Sequence, residues 1–188
     1  ACVASYKEKA GLPPDKPLRR VGTPFLNEPK HGVDDDTEKG VLGKAACSVL
    51  MKTLYGARLA RFDLLRAVQV LAQKVSKWSV QCDQRFHRLM CYVESTAEMC
   101  MTGHVGDKLS DCHLRAYADA DFAGEQDAKS TSGVFEELWG PHTSMPLQGR
   151  SAKQGCTAHC APEAEIVAIN MAVRTIGIPA VELWEAIL

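Results

Sequence analysis

The sequence predicts an α/β chain in which a small helical region precedes an incomplete mixed sheet with one packed helix. Three observations carry this. Apolar residues recur at helical spacing from Val41 to Val93. The period then shortens into alternating stretches bounded by Gly, Pro and Asp, up to Gln148. After Pro162 the helical spacing returns.

Residues 1–40 hold Pro13, Pro14, Pro17, Pro24, Pro29 and the run Asp34-Asp35-Asp36, with little periodicity. They predict a linker or loosely packed arm. Residues 41–105 predict three helices. The first carries Leu42, Ala45, Ala46, Val49, Leu50 and Leu54 on one stripe. The second starts at Asp63, a residue able to cap free backbone N–H groups. Its stripe of Leu64, Leu65, Val68, Leu71, Val75 and Trp78 is expected to form one buried seam. The third starts near Asp83 and carries Phe86, Leu89, Met90 and Val93.

Short strands are expected at Glu98–Thr102, Cys112–Asp119, Ser132–Leu138 and, shorter, Thr143–Gln148, with a turn at Gly140-Pro141. A helix follows from Pro162 to about Thr175. Gly177 and Pro179 interrupt it before a last short helix from Ala180. Residues 106–188 thus form the sheet-bearing part.

Composition places bounds on function. With 46% hydrophobic and 24% charged residues in 188, the chain is globular rather than disordered. The net charge of −1 is unevenly spread. Residues 41–105 hold nine basic and four acidic side chains, and residues 106–188 hold six and twelve. A basic middle suits a phosphate backbone and an acidic end suits divalent cations, although a solvated, uneven surface accounts for the same numbers. No uncharged apolar stretch nears the roughly 20 residues of a membrane span, and no basic start leads into an apolar run. An intracellular chain, neither secreted nor membrane-bound, is expected. Ala1 in place of an initiating Met suggests a piece of a longer protein. The eight cysteines form no C-x-x-C pair. Cys156, His159 and Cys160 come nearest to a metal cluster but lack an evident fourth ligand; free thiols at a strand edge are the plainer reading.

Two acidic pairs carry the chemical interest. Asp119 and Asp121 lie two apart at a predicted strand end, so they share a face and suit an oxygen-loving cation. Glu163 and Glu165 fall in the first turn of the predicted helix, where the helix dipole also favours acids. An apolar run follows Glu165, which sets its carboxylate near a core edge.

These pairs sit inside four ordered motifs: Tyr117 with Asp119-Ala120-Asp121-Phe122-Ala123-Gly124, then Lys129-Ser130-Thr131-Ser132-Gly133, then Ser151-Ala152-Lys153-Gln154, then Ala161-Pro162-Glu163-Ala164-Glu165. Together they resemble the ribonuclease H domain of copia-type LTR retrotransposons. Upstream, Tyr55, Arg61, Asp63 and Leu64, then Trp78, then Arg88 to Thr96, are similar to that family's reverse transcriptase connection segment. The likeness spans about residues 41–188 and is strongest from 112 to 165. It implies an RNase H-like fold and cleavage of the RNA strand of RNA–DNA hybrids by two metal ions, magnesium or manganese. Asp119 then matches the first-strand catalytic metal ligand and Glu165 the helix carboxylate. Asp121 is a motif residue without an assigned role. The implied partners are the hybrid and the rest of the reverse transcriptase polyprotein.

The sequence departs from the family in two places. No aspartate follows Glu165, so the family's downstream Asp-Asn pair is missing from these residues. Ala161 and Pro162 also replace a capping Ser-Thr. The expected function is therefore that of a nuclease-lineage fragment, inactive by itself. A non-catalytic nucleic-acid-binding or scaffolding relic is one alternative. A D-x-D glycosyltransferase fragment is another, resting on Asp119 and Asp121 alone.

Overall fold

The computed structural model describes residues 1–26, 38–124 and 128–187. The chain divides into two compact units, residues 1–100 and 101–188. The division falls five residues before the boundary expected from sequence.

The first unit is helical: α1 (Cys2–Lys9), α2 (Gly43–Ala60), α3 (Leu65–Gln73) and α4 (Val80–Ser95), with 3-10 turns at Phe62–Leu64 and Val75–Lys77. Val49, Leu50, Val68, Leu71, Phe86, Leu89 and Met90 form its buried centre. The expected seam of Leu65, Val68, Leu71 and Trp78 is buried in this one cluster. However, Trp78 is not on the helix that carries the others. It lies in extended backbone after α3 and packs edge-on against Phe86, with ring centroids 5.8 Å apart.

The expected loosely packed arm is not what residues 1–26 form. Tyr6 on α1 is buried edge-on against Phe86 at 5.1 Å, and Leu12, Leu18 and Val21 pack on the same cluster. Glu94 on α4 ties the segment down, taking Lys7 Nζ at 2.6 Å and the Leu18 backbone N–H. Proline-rich composition signals irregular backbone, but apolar residues between prolines can still be buried. The Asp34–Asp36 run lies outside the described residues.

Helix starts also differ from expectation. Ser79, not Asp83, caps α4, its Oγ accepting the Cys82 N–H at 3.3 Å. Asp83 instead reaches back to the entry of α2, accepting the Val41 N–H at 2.7 Å, the Leu42 N–H at 3.1 Å and the Trp78 indole N–H at 2.6 Å. Asp63 does not cap either. It accepts two bonds from Arg61, at 2.9 and 2.8 Å, and one from Tyr92 at 3.0 Å. Arg61 continues to the Thr96 carbonyl at 2.9 Å and hydroxyl at 2.7 Å. One guanidinium thereby joins the two upstream motif segments.

The second unit holds β1 (His113–Asp121), β2 (Thr131–Gly140) and β3 (Thr143–Lys153), followed by α5 (Ala161–Ala172), a π-helical turn at Val173–Gly177 and α6 (Ile178–Ile187). The strands form an antiparallel sheet in the order β1-β2-β3. The expected mixed sheet is thus antiparallel throughout the described residues. Short links allow only antiparallel neighbours, since a parallel pair needs a long crossover. Glu98–Thr102 is not a strand; the chain there is irregular up to a single bridge between His104 and Ser144. β3 is the longest strand rather than the shortest, and its far end carries Ser151 to Lys153.

α5 lies on one face of the sheet through Ala164, Ala168 and Ala172, all buried; small side chains let the helix approach closely. Gly177 and Pro179 do not break the helix. The π turn contains the glycine, and the helix runs on through Pro179 as α6. Ala161–Ile187 is by length and composition apolar enough to cross a membrane, although Glu163, Glu165, Arg174, Glu182 and Glu185 punctuate it. Its alanine face covers the sheet.

Leu71 is 2% exposed, so Leu71→Ala should cost about 2–5 kcal/mol and lower the thermal midpoint; an unchanged midpoint would remove the seam from the core. A second outcome concerns acid. Burial pushes the Asp63 carboxyl up, but the Arg61 and Tyr92 hydrogen bonds outweigh it and hold the group below its usual value. The stability it contributes is present above the ordinary aspartate range and is lost as pH falls through the lowered folded value. Asp63→Asn should therefore flatten the decline of the thermal midpoint in acid. An equally steep decline would show that this carboxylate is not coupled to folding.

Candidate functional site

The four downstream motifs meet at one corner of the second unit, built by the ends of β1 and β3 and the starts of β2 and α5. Antiparallel pairing sets Asp119 opposite Gly133, Ala120 opposite Ser132 and Asp121 opposite Thr131, and Thr131 opposite Lys153. Hydrogen bonds then close the corner. Ser130 Oγ accepts the Ala123 N–H at 3.2 Å, and the Ser130 carbonyl accepts the Gln154 N–H at 2.9 Å. The Gln154 side-chain amide donates to Ser132 Oγ and to the Ala164 carbonyl, both at 2.9 Å. Gln154 is only 5% exposed, and its Oε1 has no partner among the described residues. Ser130, Ser132 and Gln154 are motif residues that sequence reasoning had noted only as pattern. Their part here is to hold strands and helix together.

The acidic residues divide by role. Asp121 folds back over Gly124, where a Cβ would stand 2.1 Å from Asp121 Oδ2; a side chain there would displace the carboxylate. Ala123, beside it, adopts a left-handed backbone at φ 49°. Glu163 closes the start of α5, its Oε2 accepting the His159 N–H at 2.6 Å. This resembles the reach-back of a capping box. Cys160 at the N-cap offers no side-chain bond, and Ala161 and Pro162 lie inside the helix. Asp119 and Glu165 make no hydrogen bond or ion pair with another described residue. Asp119 is exposed and Glu165 half-buried.

The phase of β1 fixes where Asp119 faces. Ala118 packs with Val134, Ala172 and Ile176 on the helix-covered face. Tyr117 lies on the other face, its ring 5.9 Å from Phe135 and its hydroxyl donating to Glu137 at 2.9 Å. Asp119 and Asp121, two and four residues on from Tyr117, share that uncovered face. Glu165 belongs to the helix on the opposite side. Both Asp119 and Glu165 stand within one residue of the Gln154 tie, through Ala120 opposite Ser132 and through Ala164. They belong to elements that meet at this corner, Asp119 to the end of β1 and Glu165 to the start of α5. Among the described residues no three His, Cys, Asp or Glu side chains gather to hold a metal ion, Cys156, His159 and Cys160 included. Sequence reasoning located the corner but not the faces, because strand phase depends on where pairing begins.

Comparison with family models, with curated proteins and with solved structures finds no match for this chain.

Gln154→Ala should cost about 2–4 kcal/mol, because Ser132 Oγ and the Ala164 carbonyl both lose a buried partner. Hydrogen exchange should rise at the ends of β1 to β3 and at the first turn of α5. Unchanged protection there would show that the motifs are not joined through this amide.

Proposed function

We infer that residues 101–188 are the N-terminal part of an RNase H-like domain, and that the chain comes from the reverse transcriptase and ribonuclease H region of a copia-type element. The observation that carries this reading is the corner just described. Four segments chosen by their likeness to one family, spread over about fifty residues, are joined by the side chains of Ser130, Ser132 and Gln154. The antiparallel order β1-β2-β3 with a following helix laid on β1 and β2 agrees with the first half of that fold. The upstream motif segments, joined by Arg61, suit a connection region.

The family acts on RNA–DNA hybrids. In this chain Asp119 and Glu165 are the residues that match its catalytic positions. Residues 1–188 supply no aspartate beyond Glu165. No hydrolytic step is therefore assigned to this chain. Residues 1–188 should leave a labelled RNA–DNA hybrid intact in magnesium or manganese. A chain extended by a strand bearing the Asp-Asn pair should cleave it. Robust cleavage by residues 1–188, abolished by Asp119→Asn, would overturn the reading.

The nine basic against four acidic side chains of residues 41–105 favour a second reading, a nucleic-acid-binding or scaffolding relic of the same element. Its mark is hybrid binding unchanged by magnesium. Binding that strengthens with magnesium and is lost in Asp119→Asn favours the nuclease lineage.

A further inference from the structure

The second unit contains a groove of about 540 Å³ between β1 and the helical run after Ala168. Leu114, Ala116 and Ala118 form one wall, and Ile169, Val173 and Val181 are on the other. Its size falls in the range of small-molecule sites, which pair apolar walls with a few placed polar groups. The π turn shapes the helical wall: Val173, Gly177 and Ile178 all line the groove, and such turns recur at functional sites.

The polar side chains lining this groove are both carboxylates, Glu136 and Glu182, and no lysine, arginine or histidine accompanies them. Glu136 is 1% exposed and central on β2, among Ser132, Val134 and Leu138 on the helix-covered face. Its one hydrogen bond among the described residues comes from the neutral Gln148 amide, Nε2 to Oε2 at 2.7 Å. A charge taken out of water needs a counter-charge or several donors, and one amide is poor compensation. Ala116, a small residue that also lines the groove, lies directly opposite Glu136 in the sheet.

We propose that this groove binds a small amphiphilic amine, its ammonium group paired with Glu136 and its apolar body lying along Ala116, Ala118, Ile169 and Val173. A charge-assisted bond to a buried carboxylate separates an amine from a neutral ligand of equal shape.

Phenethylamine and phenethyl alcohol are suitable probes, titrated into residues 1–188 by calorimetry and followed by amide chemical shifts. Phenethylamine should bind saturably, at least about tenfold tighter than the alcohol, and shift amides of β1, β2 and α5. Glu136→Gln keeps the shape and the Gln148 contact and should erase the preference. Ala116→Phe should fill the groove and abolish binding of both probes. Equal binding of the two probes, no binding of either, or amine binding retained by Ala116→Phe would each overturn the proposal. Should Glu136→Gln fail to fold, the probe comparison in the unaltered chain and the Ala116→Phe result still decide it.

Discussion

The second unit depends on one amide. Gln154 follows directly on β3, yet its side chain bonds to β2 and to the first turn of α5, while its backbone N–H holds the loop before β2. A sheet of three strands with one covered face has little apolar area to fix a helix upon it. The buried pairs available are mostly alanine against valine or alanine. Directional hydrogen bonds therefore set the position and angle of α5, and with them the place of Glu163 and Glu165. The buried Gln154 Oε1, without a partner among the described residues, is the cost of the arrangement.

The first unit is organised differently, by carboxylates that reach across sequence. Asp83 gathers two backbone amides and an indole N–H from the entry of α2 and from Trp78. Asp63 takes Arg61 and Tyr92, and Glu94 takes Lys7 and the Leu18 backbone. Burial pushes the Glu94 carboxyl up, but Lys7 and the Leu18 N–H outweigh it and hold the group below its usual value. Three acids thus do in the helical unit what one neutral amide does in the sheet unit.

Much of this was legible in the sequence. The stripes Val49–Leu50, Val68–Leu71 and Phe86–Met90 announced the helical core, because period 3.6 survives any packing arrangement. The three strands were legible through alternation and the Gly140-Pro141 turn, although β3 runs five residues further than its apolar pattern. Ser151 and Lys153 are polar, and only pairing with β2 makes them strand. The packing of Tyr6 and Leu18 was not legible, since their hydrogen-bond and ring partners on α4 lie about 70 to 80 residues away. The corner of the candidate site was legible as four motifs, but the face of β1 that carries Asp119 was not. A shift of one residue in register exchanges the faces of a strand, and nothing local to Asp119 encodes that register.

The π turn at Val173–Gly177 has a geometric consequence for everything after it. The Ile178 N–H bonds to the Val173 carbonyl, five residues back, so the turn contains one residue more than an α-helical turn. Side chains beyond it are rotated by about 100° relative to an uninterrupted helix. Ile178, Val181 and Glu182 owe their direction to that added residue. A one-codon deletion within the turn would leave helix length and composition almost untouched, yet it would swing α6 round so that a different side of it lined the groove.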